Sequence, residues 1–82
     1  MLLAEIFEKA KIENAQAIEK YGPWSGYNHH EQSEAVRDEF CEWYKAYCEG
    51  NHDGEHGEIN ELIDLINVAC RRIMALTGEP NA

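Results

Sequence analysis

The sequence predicts an all-α protein, built as a helical hairpin with an added N-terminal helix. Apolar residues recur at three- and four-residue steps along three segments, and this spacing places side chains on one face of a helix. Turn-rich stretches separate the segments, and no stretch alternates apolar and polar residues as a half-buried strand does. We therefore expect one domain over residues 1–82, with helices at about 2–21, 29–49 and 56–77.

The first helix is predicted from an apolar stripe that polar Asn14 interrupts. Gly22 and Pro23 end this segment, because proline cannot continue a helix. Asn14 is compatible with two interpretations, a buried asparagine that fixes the register between subunits or a residue that faces water. The stripe consists of Leu3, Ile6, Phe7, Ala10, Ala17, Ile18 and Tyr21.

The second helix is predicted to begin after a turn-rich connector. Asn28 and Glu31, three residues apart, have the pattern of a capping box, and Gly50 closes the helix. The apolar residues that share one face of this helix are Val36, Phe40, Trp43 and Tyr47, flanked by Tyr44 and Ala46.

The third helix follows residues 50–54, whose glycine, asparagine and aspartate residues predict a hairpin loop. It is expected to begin near Glu55 to Glu58 and to end at Gly78 and Pro80. Acidic residues near its start and arginines towards its end complement the helix dipole. The main apolar stripe consists of Ile59, Leu62, Ile66, Ala69 and Ile73.

The charge and the length of the chain limit its partners. The 82 residues include 16 acidic and 7 basic side chains, with a formal net charge of -9. This charge repels a phosphate backbone, so direct binding to nucleic acid is disfavoured. Because so short a chain buries only a thin core, we expect its helices to bury further surface against other copies. The predicted assembly is a homodimer or tetramer that resembles a four-helix bundle.

The cysteine pattern and the first residues predict a cytoplasmic protein. Cys41, Cys48 and Cys70 are an odd number of cysteines without a Cys-x-x-Cys pair, which fits reduced thiols. The apolar run at Met1 to Ala4 is followed at once by Glu5 and is shorter than a signal peptide or a membrane helix requires. We therefore expect neither export nor membrane association.

Two pairs of carboxylates carry the strongest functional signal. The second helix contains Glu39 and Glu42, and the third contains Glu61 and Asp64. A spacing of three residues places both members of a pair on one face of their helix. In an antiparallel hairpin, residues that lie opposite each other have position numbers with a constant sum. This sum is 103 for Glu39 with Asp64 and also for Glu42 with Glu61. The sequence therefore predicts that Glu39 lies beside Asp64 and that Glu42 lies beside Glu61.

These four acids are predicted to hold a divalent metal ion. Helical periodicity places Glu39 beside Trp43 on the apolar arc, and it places Glu61 between Leu65 and Val68. Carboxylates that meet at a partly buried site repel one another unless a cation or protons compensate. Oxygen ligands without histidine or thiolate favour Mg²⁺ or Mn²⁺ over zinc. The alternative is that the four residues form a solvated or purely structural acidic seam.

The acidic pattern resembles that of the MazG-like, all-α nucleoside triphosphate pyrophosphohydrolases. Their motif is Glu-x-x-Glu on one helix and Glu-x-x-Asp on the next, and a weaker similarity lies in Pro23-Trp24 followed by His30. The resemblance covers residues 23–76. It implies Mg²⁺ held by the four carboxylates and hydrolysis of a nucleoside triphosphate to a monophosphate and pyrophosphate. By resemblance, Glu39 or Glu42 orients or deprotonates the attacking water.

Three further residues are candidates for substrate binding. Asn67 and Arg71 share a stripe of the third helix with Asp64, so that Arg71 could bind a phosphate and Asn67 a base or sugar. Lys45 is a weaker phosphate candidate on the second helix. In the alternative interpretation, Arg71 and Arg72 only complement the helix dipole and pair with surface acids. The chain lacks the final helix of longer family members, so either a neighbouring subunit completes the pocket or the activity is lost.

Two other interpretations of the sequence remain open. His52 and His56 suggest zinc by their spacing, but they flank Gly54 in a loop and have no close pair of cysteines, which disfavours zinc. Trp24 and Tyr27 could stack on a nucleobase, although packing over the ends of the core is favoured.

The alternative function is a non-catalytic helical interaction or accessory protein whose acids bind a basic partner or a structural ion.

Overall fold

A computed structural model describes residues 1–79, and over that range the protein is all-helical, as predicted. The helices are α1 (Leu3–Tyr21), α2 (His29–Cys48) and α3 (Glu58–Leu76), and a short 3-10 turn at Trp24–Gly26 connects α1 to α2. Helix α3 is central, because α1 and α2 both pack against it. The helix bounds differ from the predicted ones by at most two residues. Pro80, a predicted stop signal, lies outside the described residues.

The ends of α2 follow the signals in the sequence. The Glu31 amide donates to Asn28 Oδ1 at 2.8 Å, and the Asn28 amide donates to Glu31 Oε1 at 3.0 Å, which completes the capping box. At the other end, Gly50 has a φ of 68°, and the Asn51 amide then reaches back to the Ala46 carbonyl at 3.0 Å. This glycine termination satisfies carbonyls that the last turn of the helix leaves free.

Helix α3 begins two residues later than the predicted position 56, because a further turn precedes it. A Cβ atom at Gly57 would overlap the backbone carbonyl of Asp53, so this close approach requires glycine. The Asn60 side-chain amide donates to the Gly54 carbonyl at 2.8 Å and fixes the same turn.

The antiparallel register of α2 and α3 agrees with the predicted sum of 103. Near the loop, Trp43 Nε1 donates to Glu58 Oε1 at 3.2 Å, and at the far end Arg72 Nη1 donates to Gln32 Oε1 at 2.6 Å. The position numbers of these two pairs sum to 101 and 104. The hairpin therefore brings the acidic segments of α2 and α3 level with each other.

The core between the helices is small and unusually polar. The buried side chain of Gln32 is hydrogen-bonded, because its Nε2 donates to the carbonyls of Trp24 and Tyr27. Polar side chains of this kind are rarely buried without a partner or a function. The buried apolar side chains of the described chain are Ala10, Trp24, Ala46, Ile63 and Val68, and the buried polar ones are Gln32, Glu61, Asn67 and Arg71.

The predicted apolar stripe of α3 is largely uncovered. Ile59, Leu62 and Ile73 are all exposed. At about 100° per residue, this stripe lies roughly opposite the face that carries Glu61 and Asn67. The face of α3 that is buried within the chain therefore carries most of its polar residues, alongside Ile63 and Val68.

The aromatic face of α2 is also only partly covered. Val36 and Trp43 are half-buried, whereas Phe40 and Tyr47 are 49% and 57% exposed. The aromatic rings contact one another along the helix, with the Phe40 and Trp43 centroids 5.6 Å apart. Much of the predicted apolar face thus remains on the surface of the single chain.

The connector between α1 and α2 covers one end of the core. Trp24 is buried, which confirms the packing interpretation, whereas Tyr27 stays exposed. The Arg71 guanidinium lies 4.8 Å from the Trp24 ring centroid, and Arg71 Nη2 donates to the Gly22 carbonyl at 3.1 Å. This cation–π contact anchors the connector to α3.

The three cysteines, Cys41, Cys48 and Cys70, are free thiols on the surface. In the part of the chain that the structure describes, none of the helices combines the length and the hydropathy that a bilayer crossing needs.

Candidate metal centre

Three carboxylates from α2 and α3 converge at the middle of the hairpin. One ligand oxygen from each of Glu39, Glu61 and Asp64 lies within 4.8 Å of the other two. Neighbouring oxygens around an octahedral Mg²⁺ are roughly 3 Å apart, because the ion requires bonds of about 2.1 Å. Small side-chain rotations are therefore enough to bring these oxygens into a coordination shell.

The convergent carboxylates carry oxygens without hydrogen-bond donors. Glu61 is only 5% exposed, and its Oε2 has no hydrogen-bond partner among the described residues. Its Oε1 lies 3.5 Å from His56 Nδ1. Glu39 is half-buried, and its Oε2 also lacks a partner in residues 1–79. A buried carboxylate oxygen without a donor is costly, and a cation is a partner that removes this cost.

The acids in the cluster shift one another's pKa values. Burial raises the pKa of Glu39 to about 7, and the charges of Glu42, Asp64 and Glu61 add to the rise. Burial likewise raises the pKa of Glu61, with further contributions from Glu42 and Asp64, while a hydrogen bond from His56 opposes the rise. The protein without a cation therefore favours protonated carboxyls at this site, and a bound cation would favour the charged forms.

A further carboxylate, Glu13 of α1, joins the cluster and was not predicted from the sequence. Burial and a hydrogen bond to Asp64 raise its pKa to about 8, and its Oε2 is buried without a partner among the described residues. The sequence did contain a signal, because position 13 falls between Ala10 and Ala17 on the stripe of α1. Asn14 drew attention to this interruption, but Glu13 occupies the same break in the stripe.

Glu42 lies at the edge of the cluster rather than within it. It is exposed, and it is not one of the three residues whose oxygens converge. Its charge nevertheless raises the pKa values of Glu39 and Glu61, so it is their neighbour. Glu42 and Lys45 line a surface depression of about 340 Å³ together with Glu61. The structure thus brings together three of the four predicted ligands and places the fourth beside them.

Asn67 lies next to the acids, as the stripe on α3 predicted. It is buried, and its Oδ1 has no hydrogen-bond partner in the described part of the chain. Asn67 lines a cavity of about 330 Å³ with Glu13, Glu39 and Asp64. Lys20 lines the same cavity and is a cationic neighbour that the sequence reasoning missed.

Arg71 lies in a second cavity beside the acids. This cavity, of about 420 Å³, is lined by Trp24, Tyr27, Glu39 and Arg71 among other residues. Burial lowers the pKa of Arg71, and the nearby Tyr27 opposes this effect. Its Nε has no partner among residues 1–79, while Nη2 is already bonded to the chain. Neither Arg71 nor Arg72 pairs with a carboxylate within that range, so the structure does not show the surface ion pairs of the alternative interpretation there, and compensation of the helix dipole stays a prediction.

The histidines do not form a zinc site in the described structure. His52 Nδ1 lies 3.1 Å from Glu58 Oε2, and His56 contacts Glu61. Within residues 1–79 no histidine or cysteine belongs to a convergent group of three ligands. The donor set at the centre consists of carboxylate oxygens, which fits a hard cation such as Mg²⁺ or Mn²⁺.

Comparison of the chain with protein-family models, with curated proteins and with solved structures found no match. The resemblance to the MazG-like pyrophosphohydrolases therefore rests on the motif residues alone. What the structure defines is a class, an all-helical protein with a partly buried cluster of carboxylates at the centre of a hairpin.

Proposed function

We propose that this protein is a Mg²⁺-dependent nucleoside triphosphate pyrophosphohydrolase of the MazG-like type, with Mn²⁺ as an alternative cofactor. The observation that carries this proposal is the convergence of Glu39, Glu61 and Asp64, two of which, Glu39 and Glu61, have a buried oxygen without a donor in the described chain. A solvated surface acid would not be expected to keep a buried oxygen without a donor. The motif resemblance supplies the reaction class.

When bound, Mg²⁺ neutralises triphosphate charge and polarises a phosphoryl oxygen. Glu39, Glu61 and Asp64 hold the ion in this proposal. Glu42, at the edge of the cluster, accepts a proton from the water whose oxygen attacks the α-phosphorus. The bond between that phosphorus and the α–β bridging oxygen breaks, so that pyrophosphate leaves and a nucleoside monophosphate remains.

The surroundings of the acids offer groups for the rest of the nucleotide. Asn67 presents an oxygen for a base or sugar, and the cavity beside Trp24 is large enough for a ring. Arg71 and Lys45 are the phosphate candidates, on two sides of the cluster. Arg71 Nε is buried and has no partner in the described chain, and in this proposal it donates to a phosphate that enters the cavity beside it.

The test is a turnover assay on purified protein with a panel of nucleoside triphosphates, canonical and modified, in the presence of Mg²⁺. We expect pyrophosphate release by the wild type, and its loss in Glu42→Gln and Asp64→Asn. The matched control is Glu8→Gln, an exposed acid on α1 that should retain the activity. If no nucleotide is turned over, the enzymatic proposal is wrong.

The proposed protein acts as a homo-oligomer, a dimer or a tetramer. Support comes from the uncovered stripe of α3 and from the aromatic face of α2, where Phe40 and Tyr44 are about half exposed. A groove of about 460 Å³, with an almost wholly apolar lining that includes Ile6 and Leu65, adjoins the α3 stripe. Light scattering should detect an oligomer that Phe40→Asp weakens and that Ala15→Asp, at an exposed position of α1, does not.

The proposed setting is the cytoplasm, with nucleoside triphosphates rather than nucleic acids as partners. Three exposed free thiols fit a reducing compartment. A net charge of -9 opposes binding to a nucleic-acid backbone.

The second candidate is a non-catalytic helical interaction module whose acids hold a structural ion or contact a basic partner. One observation favours it, because Arg71 is already held by Gly22 and Trp24 and few other cations surround the acids. Thermal unfolding separates the two proposals. Stabilisation by Mg²⁺ that a nucleotide increases supports the enzyme, whereas stabilisation by a protein partner alone supports the module.

A further inference from the structure

We propose that the cavity beside Trp24 binds the nucleobase and selects bases that carry an amino group, such as cytosine and adenine, over uracil and hypoxanthine. This inference rests on the proposed pyrophosphohydrolase function and deepens it, because it names the class of base. The cavity has a volume of about 420 Å³, which lies within the range of pockets for small ligands.

The cavity beside Trp24 adjoins the cavity that holds the acids, and α3 contributes to the wall of both. Asp64 lines the second cavity and Arg71 the first. These two residues are two turns apart, which is about 10 Å along the helix axis. A nucleotide whose phosphates reach an ion at Asp64 can therefore extend its base into the cavity beside Trp24. The residues that line both cavities are Ala17, Tyr21, Glu39, Asn67 and Val68.

Tyr27 offers a flat surface for a base at this end. It lines the cavity beside Trp24, and it is 40% exposed. Its hydroxyl donates to the Tyr21 carbonyl at 3.4 Å, so the ring is held next to the end of α1. An exposed aromatic ring of this kind can stack on any base, because every base has a π-face. Tyr27 therefore contributes affinity without choosing between bases.

The choice between bases comes from a row of carboxylates on α2. Glu31, Glu34 and Asp38 are spaced three and four residues apart, so they share one face of the helix, and all three line the cavity. Glu31 accepts from the Asn28 amide and Glu34 contacts His30, whereas Asp38 makes no ion pair or side-chain hydrogen bond within residues 1–79. An ionised carboxylate only accepts hydrogen bonds. Asp38 therefore attracts an amino group of a base and repels a carbonyl oxygen.

Asn67 indicates independently that a polar ligand enters between the two cavities. It is 7% exposed and lines both cavities, and its Oδ1 has no hydrogen-bond partner in the described residues. A buried acceptor without a donor is costly, and a hydroxyl group of a ligand removes this cost. Asn67 lies about one turn from Asp64 and one turn from Arg71. The sugar of the nucleotide would therefore lie at Asn67, between the ion and the base.

The test measures kcat/KM of the wild type in Mg²⁺ for two pairs of nucleotides, CTP with UTP and ATP with ITP. Within each pair, a carbonyl oxygen replaces an amino group. We expect the amino member to be turned over about tenfold better, the size expected for one hydrogen bond to a charged group. Asp38→Asn should reduce the preference to less than about threefold, because an amide both accepts and donates. Asp53→Asn, the same change at an exposed position of the loop, is the matched control and should keep the preference.

Calorimetry with CMP and UMP measures base selection apart from catalysis, because these ligands lack the bond that is cleaved. CMP should bind more tightly than UMP, and Tyr27→Ala should weaken both to the same extent while Tyr27→Phe does not. Equal kcat/KM within each pair, a preference for the carbonyl member, or an unchanged preference in Asp38→Asn would overturn this inference and leave the proposed function intact. Selective binding of CMP without turnover of any nucleotide would overturn the hydrolase and support the base site. Absence of both binding and turnover would overturn both.

Discussion

The carboxylate cluster should make the cation-free protein less stable as the pH rises from 5 to 8. The pKa of Glu39 is raised to about 7 and that of Glu13 to about 8, from 4.5 in each case. Between the unfolded and folded pKa values, the folded chain binds more protons than the unfolded chain does. The free energy of unfolding therefore falls with rising pH, and the loss is complete only above pH 8 or so.

The size of this effect follows from the shift at Glu39. Raising a pKa from 4.5 to about 7 corresponds to an upper limit of about 3 kcal/mol. Glu39 is only half-buried, so solvent screening reduces the loss from this residue to about 1–2 kcal/mol. For a domain of this size, 1 kcal/mol moves Tm by roughly 4–8 °C. We expect a Tm roughly 5–15 °C lower at pH 8 than at pH 5.

Mg²⁺ should reverse this trend, because it binds the charged carboxylates. At a free concentration one hundred times Kd, a ligand of the folded state adds about 2.7 kcal/mol to the stability. This exceeds the loss estimated for Glu39 at pH 8. At pH 5 protons compete for the same oxygens, so the stabilisation by Mg²⁺ should be smaller there.

The assay is thermal unfolding followed by circular dichroism from pH 5 to pH 8, in EDTA and in saturating Mg²⁺. Glu39→Gln should flatten the pH dependence in EDTA and abolish the response to Mg²⁺. Glu8→Gln, an exposed acid on α1, should retain both. A Tm in EDTA that stays constant or rises between pH 5 and pH 8 would refute the reasoning, because the acids would then carry no cost of burial.

Two further predictions concern the scaffold, and urea unfolding measures both. Gly57→Ala should cost about 1–3 kcal/mol, because its Cβ would overlap the Asp53 carbonyl, whereas Gly26→Ala, with open space, should change stability by less than about 0.5 kcal/mol. Equal losses in the two variants would contradict the close approach. Trp24→Ala should cost about 3–5 kcal/mol, because the buried ring covers Arg71, and Trp24→Phe should cost clearly less. A loss below about 1 kcal/mol in Trp24→Ala would show that the connector does not cover the core.

The pairing of α2 with α3 could be predicted from the sequence, because a tight loop fixes which residues are level. Glu39, Glu61 and Asp64 consequently meet as expected. The position of Glu42 could not be predicted in the same way. Residues three apart on a helix differ by about 60° in direction, so the rotation of α2 about its axis decides which one faces α3. That rotation is set by packing, and it turns Glu39 inward and leaves Glu42 at the edge.

The contribution of α1 was harder to predict than that of the hairpin. A charged residue on a helix is ordinarily assigned to the solvent face. The break in the apolar stripe at positions 13 and 14 showed that α1 carries polar groups on its packed face, but not what they meet. The contact with Asp64 depends on how the connector at Gly22 and Trp24 returns the chain onto α3. Such long-range geometry has no local signal in the sequence.

The uncovered stripe of α3 connects the fold to the proposed assembly. A helix that is polar towards its own hairpin and apolar on the opposite side has the pattern expected of an element at the centre of a larger bundle. Ile59, Leu62 and Ile73 form that opposite side, and Glu61 and Asp64 form the polar one. A second copy seated on the stripe would fix α3 from behind the carboxylates. In the proposed oligomer, α3 therefore carries both the metal centre and the subunit interface. Apolar surface buried between the subunits adds to the small core of the single chain, and it does so on the helix that positions the carboxylates.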